Sequence, residues 1–107
     1  MTSEGPAKSR RSPLPPTFPD LVSLDLFATT VRLGSISAAA SEHNMSQPSV
    51  STRIRALETR LGLQLLTRSA SGSEPTSDGA VVAEWTEALL TSADELASAD
   101  EALRNRE

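Results

Sequence analysis

The sequence predicts a mainly α fold, with three helices in a small head, a two-stranded hairpin behind them, and one long helix at the end. Three observations carry this expectation. Apolar residues recur at helical spacing in successive stretches between residues 21 and 62, and cap-forming residues separate the stretches. A short, partly alternating apolar run at 63–68 precedes the turn-forming Ser69-Ala70-Ser71-Gly72-Ser73. Beyond residue 77, apolar side chains return every seven residues.

In the first helix, Leu24, Phe27, Ala28 and Val31 fall at i, i+3, i+4 and i+7, and Gly34 closes it. Ser35 caps a second helix from Ile36 to about Asn44, where Ala38-Ala39-Ala40 offers small side chains for close packing. Asn44-Met45 makes a short turn. The third helix starts at the cap Ser46, tolerates Pro48 in its first turn because those N–H groups have no helical partner, and stops at Gly62. At about 100° per residue, Val50, Ile54, Leu57 and Leu61 share one narrow arc that must face a core. The opposite arc holds Pro48, Ser49, Thr52, Arg55, Ala56 and Thr59, flanked by Ser51 and Arg53, with Gln47 at the leading tip and Glu58 nearer the buried side. Such a surface can approach a base edge or a phosphate: Gln pairs with adenine, Arg with guanine, and hydroxyls with phosphates or bases. From this helix alone an ordinary amphipathic surface helix is an equally good reading. A short alanine-rich helix, a tight turn and a longer helix with a polar outer face together have the layout of a helix-turn-helix.

Leu63 to Arg68 is expected as a strand, with Glu74-Pro75-Thr76 returning beside it. Pro75 has no N–H, so the returning strand must be short or at an edge. A hairpin in this place is a wing. Thr76 or Ser77 can cap the last helix, and Asp78 suits the positive end of its dipole. Val82, Leu89, Leu96 and Leu103 form one line of a heptad seam, with Trp85, Ser92 and Ala99 between them. At 1.5 Å per residue the rod is roughly 40 Å long, more than so small a head can cover, so a second copy is expected against Val82, Trp85, Leu89, Leu96 and Leu103. The expected division is an arm at 1–19, a winged helix-turn-helix at 20–77 and a dimerisation helix at 78–107. The arm holds five of the seven prolines and little apolar surface, and is expected to be disordered. Its Lys8, Arg10 and Arg11 suit a solubilising tail better than a phosphate-binding one.

With 107 residues, 37% of them hydrophobic and only three aromatic, the chain has room for one modest core. The absence of cysteine excludes disulfides and thiolate metal sites, and a lone histidine makes a metal or haem centre a poor reading, so no cofactor is expected. The sequence contains no apolar run of the ~20 residues that span a bilayer, nor the apolar segment of a signal peptide, and a cytoplasmic protein without membrane partners is expected. The net charge of −4 hides an asymmetry: residues 31–73 carry five arginines against Glu42 and Glu58, whereas residues 74–107 carry nine carboxylates against Arg104 and Arg106. A basic head can sit on DNA with an acidic segment held away.

Taken together, Leu24-Asp25-Leu26-Phe27, Gly34-Ser35-Ile36-Ser37-Ala38-Ala39-Ala40, Met45-Ser46-Gln47-Pro48-Ser49-Val50-Ser51, Ile54-Arg55-Ala56-Leu57-Glu58, Leu61-Gly62, Leu65-Leu66-Thr67-Arg68 and Pro75-Thr76 with Gly79 resemble the N-terminal DNA-binding domain of the LysR-type transcriptional regulators. The resemblance runs over about 21–105. It implies a winged helix-turn-helix and a linker helix that pairs antiparallel in a homodimer on an interrupted inverted repeat of double-stranded DNA. It also implies that Ser35, Ser37, Ser46, Gln47, Pro48, Ser49, Ser51, Thr52, Arg53, Arg55 and Arg68 meet bases and phosphates, with Arg68 beginning the wing. Thr52 stands where many members carry a cation, which shifts the expected load toward Arg53 or Arg55. Ala70-Ser71-Gly72-Ser73-Glu74 replaces a wing that is often basic. His43 stands where leucine is usual and is expected to be a half-buried packing residue. The family's effector-binding domain is not in this sequence, so no small-molecule ligand is expected here; the chain is expected to be either a natural fragment or a truncation, with truncation favoured because it stops where the linker helix would end. The competing reading is a protein–protein module in which the heptad helix works alone. No nucleophile pairs with a histidine, and an enzyme is not expected.

Overall fold

The computed structural model describes residues 13–16, 18–69 and 72–106. The elements run α1 (Leu21–Leu33), α2 (Ile36–Glu42), α3 (Gln47–Leu61), β1 (Leu66–Ser69), β2 (Gly72–Pro75) and α4 (Ser77–Arg104). Most of the arm lies outside the described residues, including Lys8, Arg10 and Arg11, as do the wing-tip residues Ala70 and Ser71. Pro19, assigned to the arm from the sequence, is buried, so the packed part of the chain starts at least that early.

Each helix starts on a side-chain cap. The Asp20 carboxylate accepts from the Ser23 N–H at 3.2 Å, the Ser35 hydroxyl from Ala38 N–H at 3.0 Å, and the Ser46 hydroxyl from Ser49 N–H at 3.2 Å. α1 and α3 end on left-handed glycines, Gly34 at φ 75° and Gly62 at φ 70°. α2 stops at Glu42, two residues short of the expectation, because Asn44 turns left-handed at φ 56° and the chain closes through Met45 N–H to Ala40 O at 2.9 Å.

α1 is the spine of the core. Leu24, Leu26 and Phe27 are buried among Ala40 of α2, Val50, Ile54 and Leu57 of α3, Leu65 and Leu66, and Ala83 of α4. Burial of Phe27 and the aliphatic side chains is the main stabilising contribution, about 1.5–3 kcal/mol for each large one before entropy is counted.

The hairpin differs from the expectation. Strand pairing begins only at Leu66, because the N–H groups of Leu65 and Leu66 both donate to Glu58 Oε2, at 2.8 and 3.2 Å, and Leu65 turns wholly inward. The return strand starts at Gly72, earlier than Glu74, in antiparallel register from Ser69↔Gly72 to Leu66↔Pro75. Ser73 N–H donates to Gly34 O at 3.2 Å, and a Cβ on Gly72, whose φ is 131°, would lie 2.7 Å from that same oxygen. The wing root is therefore seated on the turn between α1 and α2.

α4 is capped by Thr76, whose hydroxyl accepts from Gly79 N–H at 2.9 Å and donates to Gln64 O at 2.6 Å. Its contact with the head runs through Gly79, Ala83 and Thr86, all buried. The radius of gyration, 16.4 Å, exceeds the ~13 Å of a compact chain this long, as a projecting helix requires. No described helix is long and apolar enough to cross a membrane.

Candidate nucleic-acid interface

The outer face of α3 is built by its inner one. Val50, Ile54 and Leu57 lock one side of the helix into the core, and the caps at Ser46 and Gly62 hold both ends, so the opposite side is presented on a fixed rod. Gln47, Pro48, Ser49, Thr52, Arg53 and Arg55 are exposed on it, and Ser51 is half-buried. Pro48, Ser49, Thr52 and Arg53 come together with Met45 around a shallow concavity. Met45 was not among the expected site residues, since nothing in its local sequence distinguishes it from a turn residue packing inward.

Two of the hydroxyls are already engaged. Ser46 Oγ caps the helix and donates to Ser49 Oγ at 2.9 Å, which braces the first turn. Ser35 is half-buried at the α2 cap, while Ser37 beside it is exposed. Arg68 is exposed on β1, where it lines a separate shallow surface with Glu58, Gln64, Leu66 and Thr67. The fold thus gathers Pro48, Ser49, Thr52 and Arg53 into one patch and keeps Arg68 on another.

Two of the head's arginines are engaged in ion pairs. Arg32 binds Glu42 at 3.0 Å, and Arg53 Nη1 lies 3.5 Å from Asp20 Oδ2. Arg55 makes no ion pair among the described residues. Hydrogen bonding from Ser23 holds the Asp20 carboxyl below its ordinary value of 3.8; burial pushes it the other way, and the Arg53 charge adds to the lowering. His43 is half-buried at the end of α2, with Nε2 3.1 Å from Thr29 Oγ1 and 4.0 Å from Asp25 Oδ1. It ties α2 to α1 in the manner of a packing residue. Among the described residues no three His, Asp or Glu side chains converge as metal ligands would.

On α4, Val82 is half-buried against the head, whereas Trp85, Leu89, Leu96 and Leu103 are 68%, 42%, 71% and 61% exposed. Trp85 and Leu89 also edge an apolar cavity of about 270 Å³ with Phe18, Pro19 and Leu63. From Trp85 onward the seam is thus exposed within one copy.

Known proteins are similar to this chain in sequence and in fold. An HTH-type transcriptional regulator of Mycobacterium bovis is 38% identical over 84 residues, which is 78% of this chain and 27% of the relative. AbaB, an HTH-type transcriptional regulator of Streptomyces antibioticus, is 45% identical over 60 residues, 56% of this chain and 20% of AbaB. The crystal structure of BenM_DBD with catB site 1 DNA superposes with a TM-score of 0.78 at 28% identity, covering 82% of this chain and 98% of that one. The CbnR_DBD–DNA complex gives a TM-score of 0.73 at 30% identity over 80% of this chain and 99% of that one. The chain spans about a quarter of the length of the curated relatives it matches. The model of the bacterial regulatory helix-turn-helix proteins of the lysR family matches residues 21–80, more than half of the sequence and every element from α1 to the first turn of α4, and the chain belongs to that family.

Proposed function

We infer that the chain binds double-stranded DNA sequence-specifically, as the DNA-binding part of a cytoplasmic bacterial transcriptional regulator, with α3 in the major groove. The observation that carries this reading is the exposed row of Ser49, Thr52 and Arg55, with Gln47 at the leading tip, on a helix capped at both ends, in a fold whose matched neighbours include DNA complexes covered almost end to end. Gln47, Ser51 and Arg55 read base edges, while Ser37 and Arg68 meet phosphates and set the register. Two copies joined through α4 grip an interrupted inverted repeat, and binding needs no small molecule. The alternative of a protein–protein module with an idle head is not favoured, since the relatives are transcriptional regulators.

Gel shifts on a duplex selected from a random pool test the assignment. Gln47→Ala or Arg55→Ala should cost about 1–3 kcal/mol and relax preference at one base pair, whereas losing a phosphate contact weakens all sequences alike. Wild-type affinity in both variants would remove α3 from the groove.

A further inference from the structure

Asp20 stands where two tasks meet. Its Oδ2 caps α1 through Ser23 N–H and lies 3.5 Å from the guanidinium of Arg53, which α3 carries on the flank turned toward α1. Because the carboxylate is held by the backbone at the start of a helix, it cannot follow Arg53 outward. Both side chains keep about half of their surface in solvent, 60% for Asp20 and 45% for Arg53, so a phosphate can reach the pair. A phosphate that takes Arg53 must then either draw the guanidinium off the carboxylate or sit beside a fixed anion. Arg55, on the far side of the same outer face, carries no such restraint among the described residues.

We propose that Asp20 is a specificity-determining residue: by holding Arg53 it withholds one cation from phosphates and trims the attraction that every DNA sequence shares. This rests on the reading of α3 as the groove helix. Sequence-independent binding grows with the number of phosphates neutralised, and each adds about 0.9 to the slope of log K against log salt. A cation released on the flank of α3 strengthens this shared attraction. A complex whose register is already set by base contacts has less freedom to use it, so discrimination falls as Arg53 is freed.

The test uses Asp20→Asn, which caps about as well as Asp without the charge. Asp20→Ser repeats it with a different cap, and thermal melting shows that each variant is folded. Anisotropy titrations with the full chain compare a selected duplex with a shuffled one at several KCl concentrations, in the wild-type and Arg53→Ala backgrounds. The expected result is binding to the shuffled duplex tighter by about three- to tenfold, a slope steeper by about 0.9, a smaller gain on the selected duplex, and most of the effect lost with Arg53→Ala. Unchanged or weaker binding to the shuffled duplex overturns the proposal, as does an equal gain without Arg53, which would make Asp20 a general surface anion. A wild-type chain that binds neither duplex in a salt-dependent way would instead overturn the DNA-binding reading on which the proposal stands.

Discussion

Glu58 shows how one residue can serve the fold from the edge of a functional helix. Its position near the buried arc of α3 was legible from helical spacing, but its task was not. Two backbone N–H groups, those of Leu65 and Leu66, converge on a single carboxylate oxygen and fix the chain as it leaves α3. Glu58→Ala would leave both donors without a partner in a partly buried site, at a cost of about 1–3 kcal/mol. For a domain of this size that is a fall in melting temperature of roughly 4–8 °C per kcal/mol. Glu58→Gln keeps an acceptor oxygen and should lose less. Equal melting of wild type and Glu58→Ala, followed by circular dichroism, would show that the two donors find other partners.

At the scale of elements, the wing and α4 are joined to the head by close backbone approach. Gly79 lies in the first turn of α4, where a Cβ would come within 2.0 Å of Leu65 O. In a free helix, Gly→Ala is favourable by about 1 kcal/mol. Here the clash is with backbone, which cannot swing aside as a side chain can, and overpacking of this kind costs about 1–3 kcal/mol or more. Gly79→Ala should therefore lower the melting temperature despite the better helix former. A raised value would mean that α4 can shift off the Leu65 carbonyl at little cost. α4 also carries two stripes side by side. Gly79, Ala83 and Thr86 face the head, while Trp85, Leu89, Leu96 and Leu103 stay exposed. The exposed stripe was conspicuous in the sequence. The other consists of small and polar residues with no hydrophobic signal, and their smallness is what allows α4 to lie close to α1.

For the whole molecule, the exposed seam calls for a partner, and a second copy is the proposed one. Nine carboxylates over residues 74–107 repel one another, so the pairing must rest on apolar contact and should survive added salt. Leu96, 71% exposed, belongs to the seam but touches no core, so Leu96→Glu should leave the head folded. In the dimer it would place an unpaired carboxylate in the interface, at a cost of several kcal/mol. The expected product is a monomer with weak, nearly non-specific DNA binding, because two half-sites are no longer held together. Sedimentation equilibrium of both proteins checks this: a monomeric wild type, or a variant that still dimerises, would leave the seam without the proposed role.

Local rules determined much of this protein in advance. The caps Ser35, Ser46 and Thr76, the stops Gly34 and Gly62, and the inward row Val50, Ile54 and Leu57 depend on neighbours within a turn or two, and all stand where spacing put them. The outward row of α3 follows, since a helix with one buried side must present the other. Only the tertiary structure decided the start of the wing, where a carboxylate from α3 claims N–H groups that a strand would otherwise use, and its seating, where Gly72 meets Gly34. It also decided the pairing of Asp20 with Arg53 and the choice of Gly79, Ala83 and Thr86 as the head-facing stripe. The physical reason is common to these cases: each is a contact between different elements whose partner is chosen by proximity after packing, and periodicity and capping carry no information about that.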